Sequence, residues 1–211
     1  MSDKITLYGL GPSRSFRVLW ALEEMSLEYD YVAMDFADQG ESGRFGPHYA
    51  AMNSQGKVPT LVDGDLVLTE SVAILNYLAT KTNHLHLIPQ HDSMLRAKYD
   101  EMCLFIVTEL EQPLWTTGKH KFALPEEYRT PEIITNTVHF EFEKAQRTLI
   151  KLLGDREFAV GDQFTMADIL LAQTIGWAQR FNFEVLEHLA QYRARMCERQ
   201  SFEKAMAVIE A

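Results

Sequence analysis

The fold of this chain is decided by residues 56–71, GKVPTLVDGDLVLTES. Residues 60–62 and 66–68 are short β-prone runs, and the Asp-Gly-Asp at 63–65 carries the turn signal of a hairpin. Pro59 occupies the start of the first predicted strand, where a missing N–H is tolerated. The segment therefore predicts two antiparallel strands that lead into a helix.

The same segment has features that favour the binding of a small zwitterion. An X-Pro bond at a strand start is a candidate for the cis isomer, which would turn the Val58 N–H and C=O toward an extended ligand. Ser71 stands at a predicted helix start, where a hydroxyl, free amides and the helix dipole suit a carboxylate, and Glu70 beside it suits an ammonium. Each residue also has a structural interpretation, because serine often caps helices and proline often begins strands. Their combination predicts a receptor for a peptide-like zwitterion.

Outward from this hairpin, the N-terminal part alternates strand and helix patterns. Residues 5–8 and 29–34 predict strands, and residues 13–24 predict a helix between them, which implies a right-handed βαβ unit. Residues 36–52 lack a clean period and predict a loop with one short helix. A helix over residues 70–80 completes the order.

The rest of the chain has a helical pattern after a polar, proline-containing stretch. The predicted organisation is an α/β domain over residues 1–82, a linker over 83–92 and an all-α domain over 93–211. Within the last domain, Thr165 followed by Asp168 resembles a capping box, and we expect both residues to have a structural role.

The composition limits the classes of function. The chain has 211 residues and a formal net charge of −10, which disfavours general binding of nucleic acid or anionic membranes. No apolar run approaches a membrane span, and no signal-peptide core is expected. Cys103 and Cys197 form no C-x-x-C pair and are expected to be reduced cytosolic thiols. We therefore expect a cytoplasmic protein without dithiol chemistry and, because its histidines do not cluster, without a metal site.

Residues 56–71 resemble the glutathione-binding hairpin of the cytosolic glutathione transferases. Residues 158–169, FAVGDQFTMADI, resemble a folding element in the helical domain of the same family. The resemblance implies a thioredoxin-like N-terminal domain, an all-helical C-terminal domain and glutathione as the co-substrate.

The resemblance also assigns glutathione-binding residues. It implies that the Val58 backbone, ahead of a cis Pro59, pairs with the cysteinyl part of glutathione, and that Glu70 and Ser71 take its γ-glutamyl end. Lys57 directly precedes this pair and is expected to meet the glycyl carboxylate, a role that His48 and Gln55 would share.

Transfer of glutathione to an electrophile requires the thiolate, and a free thiol with a pKa of about 8.5 is mostly protonated at neutral pH. The predicted start of the first helix, residues 11–15, places two hydroxyls and a cation at the positive end of a helix dipole. In serine-type glutathione transferases a hydroxyl at this location donates to the sulfur. The resemblance assigns that role to Ser13, with Ser15 as the alternative and Tyr8 ranked below both.

The sequence around these serines resembles a microbial and fungal branch of the superfamily. The resemblance lies in Ser-Arg-Ser at residues 13–15, followed by Arg17 and by Leu-Trp at 19–20. Within that branch, Arg14 would approach a glutathione carboxylate or the sulfur.

A hydrophobic electrophile is expected as the second substrate. Its walls are predicted to come from Leu10 and from an aromatic-polar patch of the helical domain, although ordinary packing also accounts for the patch: Trp115, Thr116, Lys119, His120 and Phe122. Two other functions stay open, namely glutathione-dependent peroxide or disulfide reduction, and non-catalytic regulation by a glutathione-binding protein. The resemblance also implies a homodimer.

Overall fold

A mixed sheet forms the centre of the first of two folding units in the computed structural model, which describes residues 4–35, 40–41, 43–91 and 93–211. Within these residues the sheet has the order β2-β1-β3-β4, with β1 parallel to β2 and antiparallel to β3. The strands are β1 Ile5–Gly9, β2 Tyr29–Ala33, β3 Thr60–Asp63 and β4 Leu66–Leu68. This arrangement confirms the predicted thioredoxin-like order and the hairpin on which it depends.

The described residues also form nine α-helices, and the predicted helix-rich C-terminal part is confirmed. They are α1 Ser15–Glu24, α2 Pro47–Met52, α3 Ser71–Lys81, α4 Met94–Phe105, α5 Gln112–Gly118, α6 Thr137–Leu153, α7 Met166–Arg180, α8 Glu187–Cys197 and α9 Gln200–Glu210. The helices predicted over residues 13–24 and 70–80 correspond to α1 and α3, and their bounds differ only at the helix ends, where intrahelical hydrogen bonds run out.

The first unit comprises residues 1–85 together with 197–211, so α9 belongs to it. On α1, the Trp20 indole N–H donates to Ser201 Oγ at 3.0 Å, and Ser201 Oγ donates to the Glu24 carboxylate. Arg199 Nε donates to the same carboxylate at 3.0 Å, and the Phe202 ring meets Trp20 edge-on. The sequence pattern does not assign α9 to the sheet-containing unit, because the residues of α1 and α9 that bond to each other are about 180 positions apart along the chain.

The second unit comprises residues 86–196. The helical pattern over residues 93–114 is interrupted in the sequence by Pro113, and the structure divides it into two helices, because proline has no N–H to continue the α-helical ladder. The chain passes from α4 through a π-helical turn, Ile106–Leu110, into α5, and the Glu111 N–H donates to the Ile106 carbonyl at 2.9 Å.

A buried hydrogen-bond network organises the start of α7 in the second unit. The Asp168 carboxylate accepts from the N–H groups of Ala159 at 2.7 Å and Thr165 at 2.8 Å. It also accepts from the hydroxyls of Thr165 at 3.1 Å and Tyr192 at 2.5 Å. Burial raises the pKa of Asp168, and these hydrogen bonds, with Tyr192 foremost, oppose the rise. The structural role predicted for Thr165 and Asp168 is confirmed.

The predicted domain boundaries at 82/83 and 92/93 stay a prediction. Residue 92, which ends the predicted linker, lies outside the described residues, as do residues 1–3, 36–39 and 42.

Candidate functional site

The loop between β1 and α1 brings Ser13 and Ser15 into direct contact. Their Oγ atoms are 2.8 Å apart, and the Ser15 N–H donates to Ser13 Oγ at 3.2 Å. Ser15 is 1% exposed, and its Oγ accepts from the Leu10 N–H at 2.9 Å. Ser13 is half-buried, and its carbonyl accepts from the Phe16 N–H at 3.1 Å. Of the two serines, only Ser13 is partly exposed.

Gly9, which ends β1, makes room for this arrangement. A Cβ atom at this position would lie 2.9 Å from Ser15 Oγ and 2.7 Å from the Tyr31 ring. Because both neighbours are packed, a side chain at position 9 would displace Ser15 and with it the Ser13 contact.

The other groups predicted near the thiol lie on either side of this loop. Arg14 is the residue before α1, is half-buried, and accepts from the Arg17 N–H through its carbonyl at 3.3 Å. Tyr8 lies on β1 with its hydroxyl 3.4 Å from His48 Nε2, at the outer limit of a hydrogen bond.

The second segment of the candidate site is the loop that enters β3. The Val58–Pro59 peptide bond is cis, as the sequence predicts. Val58 is 9% exposed, and within the described residues no hydrogen bond involves its amide or carbonyl. Lys57 is exposed, and its Nζ donates to Gln55 Oε1 at 2.8 Å. The two side chains, both predicted to meet the glycyl carboxylate, are thus in direct contact.

Sequence reasoning missed the residues that hold this loop. Tyr49 on α2 and Asn53 directly after it are buried, and both donate to the Lys57 carbonyl, at 2.5 and 2.8 Å. Both also contact Thr60 Oγ1, at 2.8 and 3.1 Å. Residues 36–52 lacked a helical period, so the available signal was only a short Pro-begun helix with polar residues at its end.

The third segment is the start of α3. Glu70 precedes the helix with φ +64°, in the left-handed region where a non-glycine residue is strained, and its side chain is exposed. Ser71 is buried, and its Oγ accepts from Arg17 Nη1 at 3.1 Å. Within the described residues, the amides of Ser71, Val72 and Ala73 donate to no protein acceptor. The positive end of the helix dipole and these three N–H groups are suited to an anion.

Arg17 is the third residue that the sequence analysis did not place in the site. Its side chain is 0% exposed, although it carries a full charge on an α1 helix whose neighbours Phe16, Val18 and Leu19 are also buried. The signal that could have identified it is a charged residue inside an apolar run. A buried guanidinium is retained only where it is hydrogen-bonded, so such a position indicates a buried polar partner.

Packing within the first unit brings two of these segments together. Tyr49 and Val58 form a buried cluster with Met34, and Leu10 from the β1–α1 loop packs against it. Arg17 on α1 then connects the same helix to the third segment through Ser71. The three stretches predicted from the sequence to bind one ligand are thus linked by direct contacts.

The residues predicted to line the second substrate lie in different units. Leu10 belongs to the first, whereas the aromatic-polar patch lies on α5 and on the π-helical segment Lys119–Ala123 of the second. Within the second unit, Phe122 is 61% exposed and meets the Phe181 ring edge-on, and His120 Nδ1 accepts from the Thr130 N–H at 2.9 Å. A shared substrate wall stays a prediction.

The described residues contain no cluster of histidine, cysteine, aspartate and glutamate that would hold a metal ion, and no helix among them is long and apolar enough to cross a bilayer. Burial raises the pKa of the Cys103 thiol to about 12, which makes it a poor nucleophile.

Comparison with known proteins agrees with this architecture. Residues 3–80 match the family model of the glutathione S-transferase N-terminal domain, and residues 132–200 match that of the C-terminal domain. The chain is 32% identical to glutathione S-transferase GstA of Escherichia coli O157:H7 over 189 residues, which covers 88% of this chain and 89% of GstA.

Two solved structures show the same fold. One is a ternary complex of BphK, a bacterial glutathione transferase, with a TM-score of 0.83, 25% identity, and coverage of 98% of this chain and all of BphK. The other is the Phanerochaete chrysosporium transferase URE2P6 in complex with oxidised glutathione, with a TM-score of 0.83, 21% identity, and coverage of 98% and 96%.

The fold and the matched domains define a two-domain protein of the thioredoxin-like, glutathione-binding class. The chain belongs to the glutathione S-transferase family. It is a glutathione transferase with glutathione as co-substrate, and the relatives favour neither of the two alternative functions.

Proposed function

We propose that this glutathione transferase is of the serine type, with Ser13 as the donor to the glutathione thiolate. The observation that carries the proposal is the contrast between the two serines. Ser15 is buried and already accepts from the Leu10 N–H, whereas Ser13 is half-exposed at the start of α1.

The proton arrangement of the pair supports this assignment. Ser15 can donate either to Ser13 Oγ, at 2.8 Å, or to the Leu10 carbonyl, at 3.5 Å, and the shorter bond is the stronger one. When Ser15 is the donor to Ser13 Oγ, the hydroxyl proton of Ser13 takes no part in the bond between the two serines. Ser13 then donates to the sulfur, which favours the thiolate, and Ser15 becomes its positioning residue.

The remaining contacts of glutathione follow from the other two segments. The Val58 amide and carbonyl, at the cis Pro59, pair with the cysteinyl part, and Lys57 meets the glycyl carboxylate. The γ-glutamyl carboxylate binds the Ser71 hydroxyl and the free amides at the start of α3, with the buried Arg17 behind Ser71. Glu70 binds the ammonium. Arg14 lies next to Ser13 and adds positive potential near the thiolate.

The partners that we propose are glutathione and a hydrophobic electrophile, and neither nucleic acid nor membrane is among them. We propose a homodimer because α4 exposes Met94 and Leu104, which are 91% and 61% accessible. The low cysteine content, two residues in 211, supports a cytoplasmic location. Analytical ultracentrifugation tests the dimer, and a monomer at micromolar concentration would argue against it.

The substitution Ser13→Ala tests the catalytic assignment. We expect the rate with a chromogenic electrophile at neutral pH to fall roughly tenfold to a hundredfold, because one hydrogen bond to the charged sulfur is lost. The midpoint of the pH–rate profile should move up toward the value of about 8.5 for a free thiol. Glutathione affinity, measured by calorimetry, should change little.

Two other serine variants serve as comparisons. Ser93→Ala removes a serine that caps α4 by accepting from the Arg96 N–H at 3.0 Å, so it should lower stability without moving the pH midpoint. Ser15→Ala should have a smaller effect on the midpoint than Ser13→Ala. If Ser13→Ala keeps the full rate and Ser15→Ala loses it, Ser15 is the donor and our assignment is wrong.

A further inference from the structure

Tyr49 contacts the loop of the cis proline on both sides of the Val58–Pro59 bond. Its hydroxyl lies 2.5 Å from the Lys57 carbonyl and 2.8 Å from Thr60 Oγ1, and its ring packs in the same cluster as the Val58 side chain. The tyrosine is 2% exposed and therefore cannot itself touch a ligand at the surface.

The hydrogen bonds around Tyr49 form a closed set with a single consistent direction. A carbonyl can only accept, so Tyr49 donates to Lys57, and Thr60 must donate to the Tyr49 oxygen. The Asn53 amide then donates one proton to the Lys57 carbonyl at 2.8 Å and the other to Thr60 Oγ1 at 3.1 Å. Burial raises the pKa of Tyr49, so the hydroxyl keeps its proton over the pH range of the enzyme.

We propose that Tyr49 is a positioning residue for glutathione, which acts by fixing the Val58 backbone between two anchored neighbours. With Lys57 and Thr60 held in place, the amide and carbonyl of Val58 keep one orientation before the ligand arrives. A ligand that pairs with a preorganised backbone does not have to order it, and binds more tightly for that reason. This inference rests on the proposed site, in which Val58 pairs with the cysteinyl part of glutathione.

The variant Tyr49→Phe keeps the ring in the cluster and removes only the hydroxyl. We expect the dissociation constant for glutathione, measured by calorimetry, to rise roughly tenfold. The KM for glutathione should rise in parallel, whereas kcat at saturating glutathione and the midpoint of its pH profile should stay unchanged. A merely structural tyrosine would lower thermal stability and leave the affinity unchanged.

The matched control is Tyr77→Phe. Tyr77 lies in the same unit, and its hydroxyl donates to Asp63 at 2.8 Å, away from the loop of the cis proline. This variant should lose some stability and keep wild-type affinity for glutathione. An equal loss of affinity in both variants would overturn the inference, because the effect would then be a general one.

A second variant covers the case in which Tyr49→Phe does not fold. Thr60→Val removes the fully buried hydroxyl that donates to Tyr49 and keeps the β-branched shape of the strand residue. It should weaken glutathione binding in the same direction. Folded variants with wild-type affinity would overturn this inference alone, whereas wild-type protein that binds no glutathione would overturn the proposed site as well.

Discussion

The starts of α7 and α3 both have a hydroxyl residue close to an acidic residue, but they differ in whether the chain itself satisfies the hydrogen-bonding groups of the helix start. At α7, a hydroxyl residue and an acid close the helix end internally, because Asp168 accepts from the Thr165 N–H and hydroxyl. At α3, Glu70 makes no side-chain cap, the Ser71 hydroxyl accepts from Arg17, and three amides stay unpaired within the described residues. A helix start that is satisfied by its own chain stabilises the fold, whereas one left unsatisfied is suited to a ligand.

The largest expected effect concerns the closed helix start. Asp168→Ala leaves the buried donors of Ala159, Thr165 and Tyr192 without an acceptor, so we expect the free energy of unfolding to fall by about 3–4 kcal/mol. Urea denaturation measures the loss. Asp168→Asn keeps the shape of the side chain and one acceptor oxygen, so its free energy of unfolding should lie between those of the wild type and Asp168→Ala. A loss below about 1 kcal/mol would show that the network has no such structural weight.

An intermediate effect is expected at the open helix start. Ser71→Ala should weaken glutathione binding roughly tenfold in calorimetry, because a donor to the carboxylate is lost. The free energy of unfolding should also fall, because the buried Arg17 guanidinium loses the Ser71 acceptor, although Ser71 caps no amide of its own helix. Thr165→Ala differs in its effect on binding, with a stability loss of about 1 kcal/mol and unchanged affinity. The comparison between the two helix starts fails if both variants show the same pattern.

The smallest effect concerns the other end of α3, where Asp63 accepts from Lys81 and from Tyr77 at 2.8 Å. Burial alone would raise the pKa of Asp63, but these hydrogen bonds outweigh it and lower the pKa below its usual value. A lowered pKa means that the contribution of Asp63 is present above the unfolded-state value of about 3.9 and is lost as the pH falls below it.

This contribution is measurable as a difference between wild type and Asp63→Asn. The two should differ by less than about 1 kcal/mol at neutral pH, because Lys81 is partly exposed. In urea unfolding at a series of pH values, the difference should shrink as the pH drops below about 4. A difference that grows on acidification would contradict the assignment.

Much of the candidate site was accessible from local sequence signals. The Asp-Gly hairpin turn, Pro59 at a strand start and Ser71 at a helix start are each coded by neighbours in the chain, and the structure has the hairpin, the cis bond and α3 where they are predicted. The roles of these residues in binding glutathione stay a proposal.

Contacts between distant residues were not accessible in the same way. Arg17 meets Ser71 across 54 positions, and α9 packs on α1 through Trp20 and Ser201 across 181. Nothing in the local periodicity near either partner encodes such a pairing.

Local chemistry in the sequence thus established the order of strands and helices, the turn and the hydroxyls at the helix starts, because these depend on residues within a few positions of one another. Only tertiary packing decided which hydroxyl is buried, as Ser15 is, and which first-turn amides stay open, as those of α3 do. Burial and hydrogen-bond satisfaction depend on what the rest of the chain places beside a group, and that is a property of the folded molecule.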